Sequence, residues 1–594
     1  DIHPLVWREV NLIGADMALR LEQQGKSGVI YGYSFDAYWP GGTKNTAWWK
    51  NISGLLSEVA SVRMASPVII DPGELSGGGK GLIDYKPQVN FPNPWPGGTW
   101  RLRDIMDYER IISDALLETC AGRREDLLLD MAARSRAATA TFPKDAAYVL
   151  PAVQRDPASA RHLAALMAEH GVEVRRAPSG DLFVPLAQPY GRFVQEMFEP
   201  QRYPEVKLVP GKEIVRPYDV AAWTMPMMMG VEVRRAPLPK DLPLFSAEAK
   251  AASPTGLVAI LPGRPESAKV VNAALRSGAA VAVARAPITE GGANYPAGTV
   301  FLDGAAKGVA EVFAETGVPS TSVSAVPVSA SKLRAPRVGL YKGWNASMDE
   351  GWTRWILEQY GFAPRSLEPK AVRAGKLGGS FDVIVLPSVS PDALLTGKPK
   401  RDEGEMRYSV DFPPEYQGGI EKEGAKALKE FVEAGGTIVA LSQASDFLIS
   451  EFNIPVRNVL GRARREEFQC PGSLLRVSVS DHPVTWGLGR EAAVFVNEAV
   501  AFQTVPPGPE LSRWNLASYP DDERDVLLSG WINGADRLLR RSAAVATTFG
   551  KGKIVLLGFR AQFRAQTPAT FPFLFNALYW SVDDGPRPGH GGAP

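Results

Sequence analysis

The sequence predicts an α/β protein assembled from several successive units, and three observations carry that prediction. First, a strand candidate, a helix and a second strand candidate follow one another from Ala146, in the segments AYVLP, DPASARHLAALMAEH and GVEVRRA. Second, this order recurs from Thr255, and its opening recurs from Pro336. Third, FDVIVLP and GGTIVALS are continuous apolar runs, which are typical of parallel strands covered on both faces by helices.

Length, composition and charge set the broad class of the protein. A chain of 594 residues predicts several domains, and 45% hydrophobic with 22% charged residues is ordinary for a soluble globular protein. The net charge of +1 gives no reason to expect a nucleic-acid partner or an anionic membrane surface. Cys120 and Cys470 are far apart in sequence and predict neither a metal site nor a disulfide framework. No apolar run approaches the roughly 20 residues of a membrane span.

The first 140 residues have an amphipathic helix at their start and a long helical pattern at their end. The aromatic segment between them contains several rings that could line a cleft or fill a core. In order, the predicted elements are a helix over 6–24, a strand over 28–33, an aromatic loop over 35–49, a strand over 66–70, a Pro- and Gly-rich loop over 71–99 and a helix over 102–139.

Two small α/β modules are predicted next, over residues 146–237 and 254–333, with 238–253 as a linker. In the first module Asp156 is the expected N-cap of a helix that has Pro157 at its first position. The octapeptide GVEVRRAP occurs twice, beginning at Gly171 and at Gly230. The last region, 336–582, is predicted to be a larger parallel α/β domain.

One carboxylate near the start of the chain stands out. The stretch NISGLLSEVAS, from Asn51 to Ser61, contains five apolar residues and a single acid, Glu58. A carboxylate held in apolar surroundings has a raised pKa, which suits a general base. The alternative is a surface helix that happens to carry one acidic residue.

The block from Pro4 to Tyr108 resembles the C-terminal part of the catalytic domain of zinc carboxypeptidases of the carboxypeptidase A superfamily. The segments that carry the resemblance are PLVWREVNLIGADMALRLEQQGKSGV, FDAYWPGG, GLLSEVAS and NFPNPWPGGTWRLRDIMDYE. The resemblance implies that Glu58 is the general base and that Tyr38 is the substrate-contacting tyrosine, with Tyr33 and Trp39 as competitors. It also implies a zinc cofactor, a peptide or protein substrate, and export from a bacterial cell.

The resemblance implies that the zinc ligands of that family lie upstream of this chain, which begins in the middle of a helical pattern and is therefore expected to be truncated. The five histidines show no HxxE or HExxH spacing. His3 is the one weak candidate, but it stands immediately before the first helix, where a turn residue is the more natural interpretation. We therefore expect the chain by itself to lack the metal site.

Residues 336–582 resemble class I glutamine amidotransferase-like domains. Active members carry a cysteine on the sharp turn after the strand that corresponds to TIVAL, whereas this chain has Leu441, Ser442 and Gln443 there. Amidotransferase chemistry is therefore expected to be lost. A hydrolase triad of Ser442 with His482 and an aspartate is the weaker alternative, since no GxSxG motif surrounds the serine.

Two functions remain as expectations. The first is the C-terminal portion of a zinc metallocarboxypeptidase, in which zinc polarises the scissile carbonyl and Glu58 takes the proton of water. The second is a non-catalytic ligand-binding or scaffold protein built on an inactive amidotransferase-like domain. The sequence makes no prediction about substrate specificity or oligomeric state.

Overall fold

Apolar periodicity and cap residues divide the chain into a mainly helical unit, two small modules and a large α/β domain. The computed structural model describes residues 2–32, 37–62, 65–78, 81–207, 214–217, 219–246, 253–398, 413–506 and 511–583. Within these ranges the protein has the mixed α/β fold that the sequence predicts, with several separate sheets.

The first unit is held together by two long helices. Ile13 and Met17 of the first helix pack on Ile111, Ile112 and Ala115 of the third. The predicted first helix and the strand at 68–70 are confirmed. The elements are α1 (Pro4–Gln23), α2 (Thr43–Trp49), β1 (Val68–Ile70), β2 (Gly98–Trp100), α3 (Leu102–Gly122) and α4 (Arg124–Ala140).

Three predictions for this unit are corrected. The described residues 28–32 form no strand, and part of the predicted aromatic loop is the helix α2. The long terminal helix is two helices that meet at Arg123, whose backbone leaves helical geometry with φ −110° and ψ 18°. The sheet in the described residues of this unit has only two short antiparallel strands, β1 and β2.

The second unit is a four-stranded sheet in the order β4-β5-β3-β6 with helices packed against it. Asp156 caps its first helix as predicted, accepting hydrogen bonds from the amides of Ala158 (3.1 Å) and Ser159 (3.3 Å). Its elements are β3 (Ala146–Leu150), α5 (Pro157–Glu169), β4 (Arg175–Arg176), β5 (Leu182–Pro185), α6 (Gly191–Phe198), α7 (Met225–Met229) and β6 (Arg234–Pro237). The two copies of GVEVRRAP supply the two edge strands, β4 and β6.

The third unit repeats this arrangement in a sheet of order β12-β7-β11-β8-β13. In both modules two strands joined by a helix point the same way, but another strand lies between them and runs antiparallel to each. The predicted strand–helix–strand order is therefore present without adjacent parallel strands. The elements are β7 (Leu257–Ile260), α8 (Ser267–Ser277), β8 (Val281–Val283), β9 (Ile288–Glu290), β10 (Ala293–Tyr295), β11 (Val300–Asp303), α9 (Val309–Thr316), β12 (Thr321–Ser322) and β13 (Ser331–Lys332).

The C-terminal domain contains the predicted parallel sheet. Five parallel strands lie in the order β15-β14-β16-β17-β25, and antiparallel strands extend the sheet from β25 through β24, β22, β19 and β20. The elements are β14 (Val338–Tyr341), α10 (Met348–Gln359), β15 (Arg365–Leu367), α11 (Pro369–Arg373), β16 (Val383–Leu386), α12 (Pro391–Thr396), α13 (Glu421–Glu433), β17 (Thr437–Leu441), α14 (Ala444–Phe452), β18 (Val456–Asn458), β19 (Ser473–Val479), β20 (Glu491–Val496), β21 (Phe502–Thr504), β22 (Arg513–Ser518), β23 (Leu527–Ser529), β24 (Ser542–Phe549), β25 (Gly552–Leu557) and α15 (Phe571–Trp580).

Asp382 stabilises the edge of this sheet at which the parallel strands begin. It precedes β16 and accepts hydrogen bonds from the Arg337 amide (2.8 Å) and from the guanidiniums of Arg334 and Arg337. Although burial acts to raise it, these hydrogen bonds hold the pKa of Asp382 well below its ordinary value. The carboxylate therefore ties β16 to the chain segment that leads into β14.

Replacing Asp382 with asparagine is expected to lower the free energy of unfolding of this domain by about 1.5–3 kcal/mol near neutral pH, the range for hydrogen bonds to charged groups. Because the folded-state pKa is lowered, this stabilisation exists above the unfolded-state pKa and is lost as the pH falls. Hydrogen exchange of β16 amides measures the effect. The matched control is Asp522→Asn, because Asp522 lies on an exposed loop and Arg524 lowers its pKa to about 2. If Asp522→Asn lowered the free energy of unfolding as much as Asp382→Asn does, the stabilising role assigned to Asp382 would be contradicted.

Candidate functional site

The carboxyl ends of the parallel strands meet at one edge of the sheet, and polar side chains gather there. Asp349 lies in the first turn of α10 after β14, Ser388 follows β16, Ser442 follows β17 and Arg560 follows β25. Glu498 reaches the same place from the end of β20. Open α/β sheets bind ligands at this edge, so this cluster, here called the carboxyl-edge site, is the candidate functional site.

Arg560 is the centre of the carboxyl-edge site. Its Nη1 atom lies 2.6 Å from Oδ1 of Asp349, and its Nη2 atom contacts Oε1 of Glu498. The three side chains are between 7% and 16% exposed. A single guanidinium therefore joins two carboxylates from opposite parts of the sheet.

Neighbouring groups fix the two carboxylates further. The Ser388 amide donates to Oδ2 of Asp349 at 2.5 Å, and its hydroxyl donates to Oε2 of Glu498 at 2.9 Å. The Gln562 side-chain amide donates to Oδ1 of Asp349 at 3.1 Å and to the Thr353 hydroxyl at 2.8 Å. The geometry of the site is thus set by residues in the connections directly after the strands and by the first turns of α10.

The site contains more carboxylate than cation. Burial raises the pKa of Asp349, and Arg560 offsets only part of that rise. Asp446, in the first turn of α14, also has a pKa raised by burial, and the charge of Glu498 raises it further. Among the described residues, Arg560 is the cation paired with Asp349 and Glu498, so the site favours an additional positive charge.

Ser442 lies at the turn between β17 and α14 where a nucleophile would be expected. Its φ of 50° lies in the left-handed region, its amide donates to the Leu557 carbonyl at 2.7 Å, and it is 1% exposed. Such strain in a non-glycine residue marks a tightly determined turn. Within the described residues its hydroxyl has no hydrogen-bond partner.

Ser442 is one of several buried polar groups at this edge with unused hydrogen-bonding capacity. Nearly all buried polar groups in proteins are paired, so exceptions that lie close together call for an explanation. At this edge the atoms that lack a partner among the described residues are Ser442 Oγ, Ser445 Oγ, Asn497 Oδ1, Arg560 Nε and Gln562 Oε1; others lie elsewhere, such as Trp223 Nε1 and Tyr519 Oη.

The alternative serine triad is not assembled. The His482 ring packs on Trp580 with ring centroids 4.8 Å apart, and the Trp580 carbonyl accepts a hydrogen bond from Lys553. Lys553 of β25 is the strand partner of Thr437, so it marks the start of β17 as the end nearer to His482. Ser442 follows the last residue of β17, at the other end of that strand. The two ends are separated by about 15 Å at the rise of a β-strand. Burial also lowers the pKa of His482 to about 3.

Glu58 lies outside this site, in the mainly helical unit. The segment from Ile52 to Val62 forms neither helix nor strand, and the Glu58 side chain is exposed. Lys44 of α2 is near enough for the two charges to interact. The expectation of a carboxylate buried in an apolar segment is therefore wrong, while its role as a base stays a prediction.

Tyr38 contacts rings of the second unit. Its ring meets Tyr203 at 4.8 Å and Trp223 at 4.9 Å between centroids, both edge to face. Trp39 lies 5.6 Å from the guanidinium of Arg564 in the C-terminal domain, and Tyr33 lies outside the described residues. The aromatic segment thus joins units, and a substrate-contacting role for Tyr38 stays a prediction.

The residues that the structure describes do not fit a zinc site. They contain no group of three His, Cys, Asp or Glu side chains placed to hold a metal ion. His3 is the N-cap of α1, where its Nδ1 atom accepts a hydrogen bond from the Leu5 amide at 3.2 Å. No catalytic step through zinc follows from this geometry.

Comparison with known proteins gives weak similarities. No protein-family model matches the chain, and no curated protein sequence matches it. PurLQS from Thermotoga maritima is 14% identical with a TM-score of 0.27, covering 41% of this chain and 99% of its own. A Thermoplasma acidophilum protein assigned as one of the subunits of GMP synthase is 12% identical with a TM-score of 0.26, covering 41% and 96%.

A β-galactosidase from Bacillus circulans is 13% identical with a TM-score of 0.24, covering 42% of this chain and 31% of its own. Similarity at these levels transfers no activity to the chain.

Of the helices that the structure describes, none combines the length and the apolar character needed to cross a lipid bilayer.

Proposed function

We propose that residues 336–582 form a non-catalytic ligand-binding domain, and that the carboxyl-edge site binds a small polar ligand with a positively charged group. The observation that carries the proposal is the group of buried polar atoms with unused hydrogen-bonding capacity beside Asp349, Asp446 and Glu498. A guanidinium or ammonium group would donate to the carboxylates, while serine hydroxyls and amide oxygens would satisfy the remainder of the ligand.

Binding without nucleophilic catalysis is favoured by the chemistry around Ser442. A serine needs an adjacent base to attack a carbonyl, and His482 lies toward the opposite end of β17. Cys470 is buried, and burial raises the pKa of its thiol to about 12, so it offers no thiolate near neutral pH. The turn at Ser442 stands where the resemblance to amidotransferase-like domains implies a cysteine, and it carries a serine instead.

No observation in the described residues favours the metallocarboxypeptidase function over this one. Glu58 is exposed, and no set of three metal-binding side chains is assembled there. Metal-assisted hydrolysis needs a metal that activates water and polarises the carbonyl. The ligand-binding alternative that the sequence left open is therefore the function proposed.

Calorimetric titration of the full chain with L-arginine, using L-citrulline as the neutral analogue of the same shape, tests the proposed function. L-arginine is expected to bind with one-to-one stoichiometry and L-citrulline at least tenfold more weakly. Glu498→Gln removes one carboxylate and is expected to weaken L-arginine binding at least fivefold. Glu491→Gln, at the exposed first residue of β20, is expected to leave it unchanged. Equal affinity for both compounds, or none for either, would overturn the proposal.

The affinity should also depend on pH with a defined sign. Burial raises the pKa values of Asp349 and Asp446, so a bound cation lowers them again and releases protons. Binding of L-arginine is therefore expected to strengthen as the pH rises through the titration of these carboxylates. Titrations in buffers of different ionisation enthalpy measure the released protons; proton uptake would be inconsistent with this cation site.

We further expect no glutaminase activity. Ammonia release from glutamine by the wild-type chain should equal the buffer background, and Ser442→Ala should behave identically. Among the described residues of the carboxyl-edge site there is neither a cysteine nor a histidine to serve as nucleophile or as base for the serine. Ammonia release that is present in the wild type and absent in Ser442→Ala would show that Ser442 is a catalytic nucleophile.

A further inference from the structure

A cleft opens where the second unit, the third unit and the C-terminal domain meet. Its volume is about 420 Å³, within the range of small-molecule sites, which occur preferentially at domain interfaces. It is here called the junction cleft. Six of its lining residues matter to the argument, namely Arg155, Arg264, Pro287, Ala297, Asp481 and Trp486.

One wall of the junction cleft forms where the backbones of Gly263 and Gly487 approach each other closely. A Cβ atom on Gly263 would lie 2.0 Å from the carbonyl oxygen of Gly487, and both glycines have φ of +80°. Any other residue at either position would push the third unit away from the C-terminal domain. The two walls are therefore held in one relative position by glycine.

Two guanidiniums line this cleft without a carboxylate partner among the described residues. Arg155 donates from Nη1 to the Leu488 carbonyl at 2.7 Å. Arg264 donates from Nε to the Arg155 carbonyl at 3.0 Å and from Nη1 to the Pro319 carbonyl at 3.2 Å. These bonds hold the side chains in place and leave further N–H groups of each fork available.

The acid whose charge acts on both guanidiniums, Asp156, already has its carboxylate oxygens hydrogen-bonded. Asp156 is 1% exposed, accepts hydrogen bonds from two amides at the start of α5, and accepts another from the Ser159 hydroxyl at 2.6 Å. Its charge interacts with Arg155 and Arg264, but burial still lowers the pKa of both guanidiniums. Asp481 stands exposed on the lining, so Asp156 and Asp481 balance the two positive charges, and what the arginines offer a ligand is their unused N–H donors.

We propose that the junction cleft binds an organic carboxylate with an apolar body. The forked N–H donors of Arg155 and Arg264 match the geometry of a planar carboxylate. The half-buried ring of Trp486, with Pro287 and the methyl group of Ala297, offers an apolar wall for the rest of the ligand. This site is separate from the carboxyl-edge site and takes a ligand of opposite charge.

The test is calorimetric titration of the full chain with N-acetyl-L-phenylalanine and with its neutral amide, which has nearly the same shape. The acid is expected to bind at one site per chain, and the amide at least tenfold more weakly. Arg155→Gln removes the charge and the bond from Nη1 to the Leu488 carbonyl, and it should weaken binding of the acid at least fivefold.

Two further variants separate the outcomes. Ala297→Glu places a negative charge on the cleft wall without removing either arginine, and it should abolish binding of the acid. Glu498→Gln, in the carboxyl-edge site, should leave that binding unchanged, so failure of one site is distinguishable from failure of the other. Equal binding of acid and amide, or binding that survives Ala297→Glu, would overturn the proposal.

Discussion

Replacing Arg560 with alanine is expected to lower the free energy of unfolding of the C-terminal domain by about 3–5 kcal/mol, the range for removing one partner of a buried ion pair. The variant leaves Asp349 and Glu498 buried, 7% and 13% exposed, without the guanidinium that joins them. Hydrogen exchange of amides in β16 and β17 measures the change within this domain, because a multidomain chain has no single unfolding transition.

The loss should depend on pH. Burial already raises the pKa of Asp349, and removal of Arg560 raises it further, so the folded variant takes up protons as the pH falls. The deficit is therefore expected to shrink from about pH 8 to about pH 5. The control is Arg524→Ala, whose partner Asp522 lies on the surface, with no measurable change expected. A deficit that grows on acidification would contradict the proposed network.

Replacing Arg134 with alanine is expected to destabilise the mainly helical unit by a similar amount, about 3–5 kcal/mol. Arg134 of α4 is 2% exposed, and its Nη1 atom lies 2.6 Å from Oε1 of Glu9 in α1. Ser53 also donates its hydroxyl to the same carboxylate. Without Arg134, the buried Glu9 keeps a single neutral donor. Exchange of α1 amides reports the effect.

A double variant separates the charge effect from packing. Glu9→Leu combined with Arg134→Met removes both charges and should recover most of the loss, since apolar pairs of similar volume replace buried ion pairs well. Arg20→Ala is the matched control on α1, the helix that carries Glu9. Its pair with Glu118 is 38% and 60% exposed, and a change of less than about 1 kcal/mol is expected. If the double variant is no more stable than Arg134→Ala, the loss of stability comes from the change in packing and not from the unpaired charge of Glu9.

The sequence predicted the fold wherever the signal is local. Asp156 and Pro157 marked the start of α5 correctly because capping depends on residues within one turn of the helix. The repeat of strand, helix and strand was also predicted. The antiparallel strand inserted between the two was not, because strand pairing is a long-range property that apolar runs do not encode.

The candidate site was predicted less well. Ser442 was recognised as the turn residue, whereas Asp349, Glu498 and Arg560 were missed. Each of the three stands within a few residues of a strand or helix end at the carboxyl edge of the sheet, and that placement was the available signal. Glu58 was selected from the carboxypeptidase resemblance together with an apolar neighbourhood in sequence, but neighbours in sequence do not exclude water from a segment without regular structure.

The repeated octapeptide has a consequence for self-association. Its two copies form both outer strands of the four-stranded sheet, and each copy places two consecutive arginines there, in β4 and in β6. Open strand edges can template the growth of intermolecular sheets, and charged residues or proline oppose it. Two molecules approaching edge to edge would bring guanidiniums into contact, and Pro237 in β6 lacks the amide needed for pairing. The second copy of the motif therefore protects the open edge at β6 against aggregation, whereas the outer side of β4 is already paired with the backbone of residues 243–245.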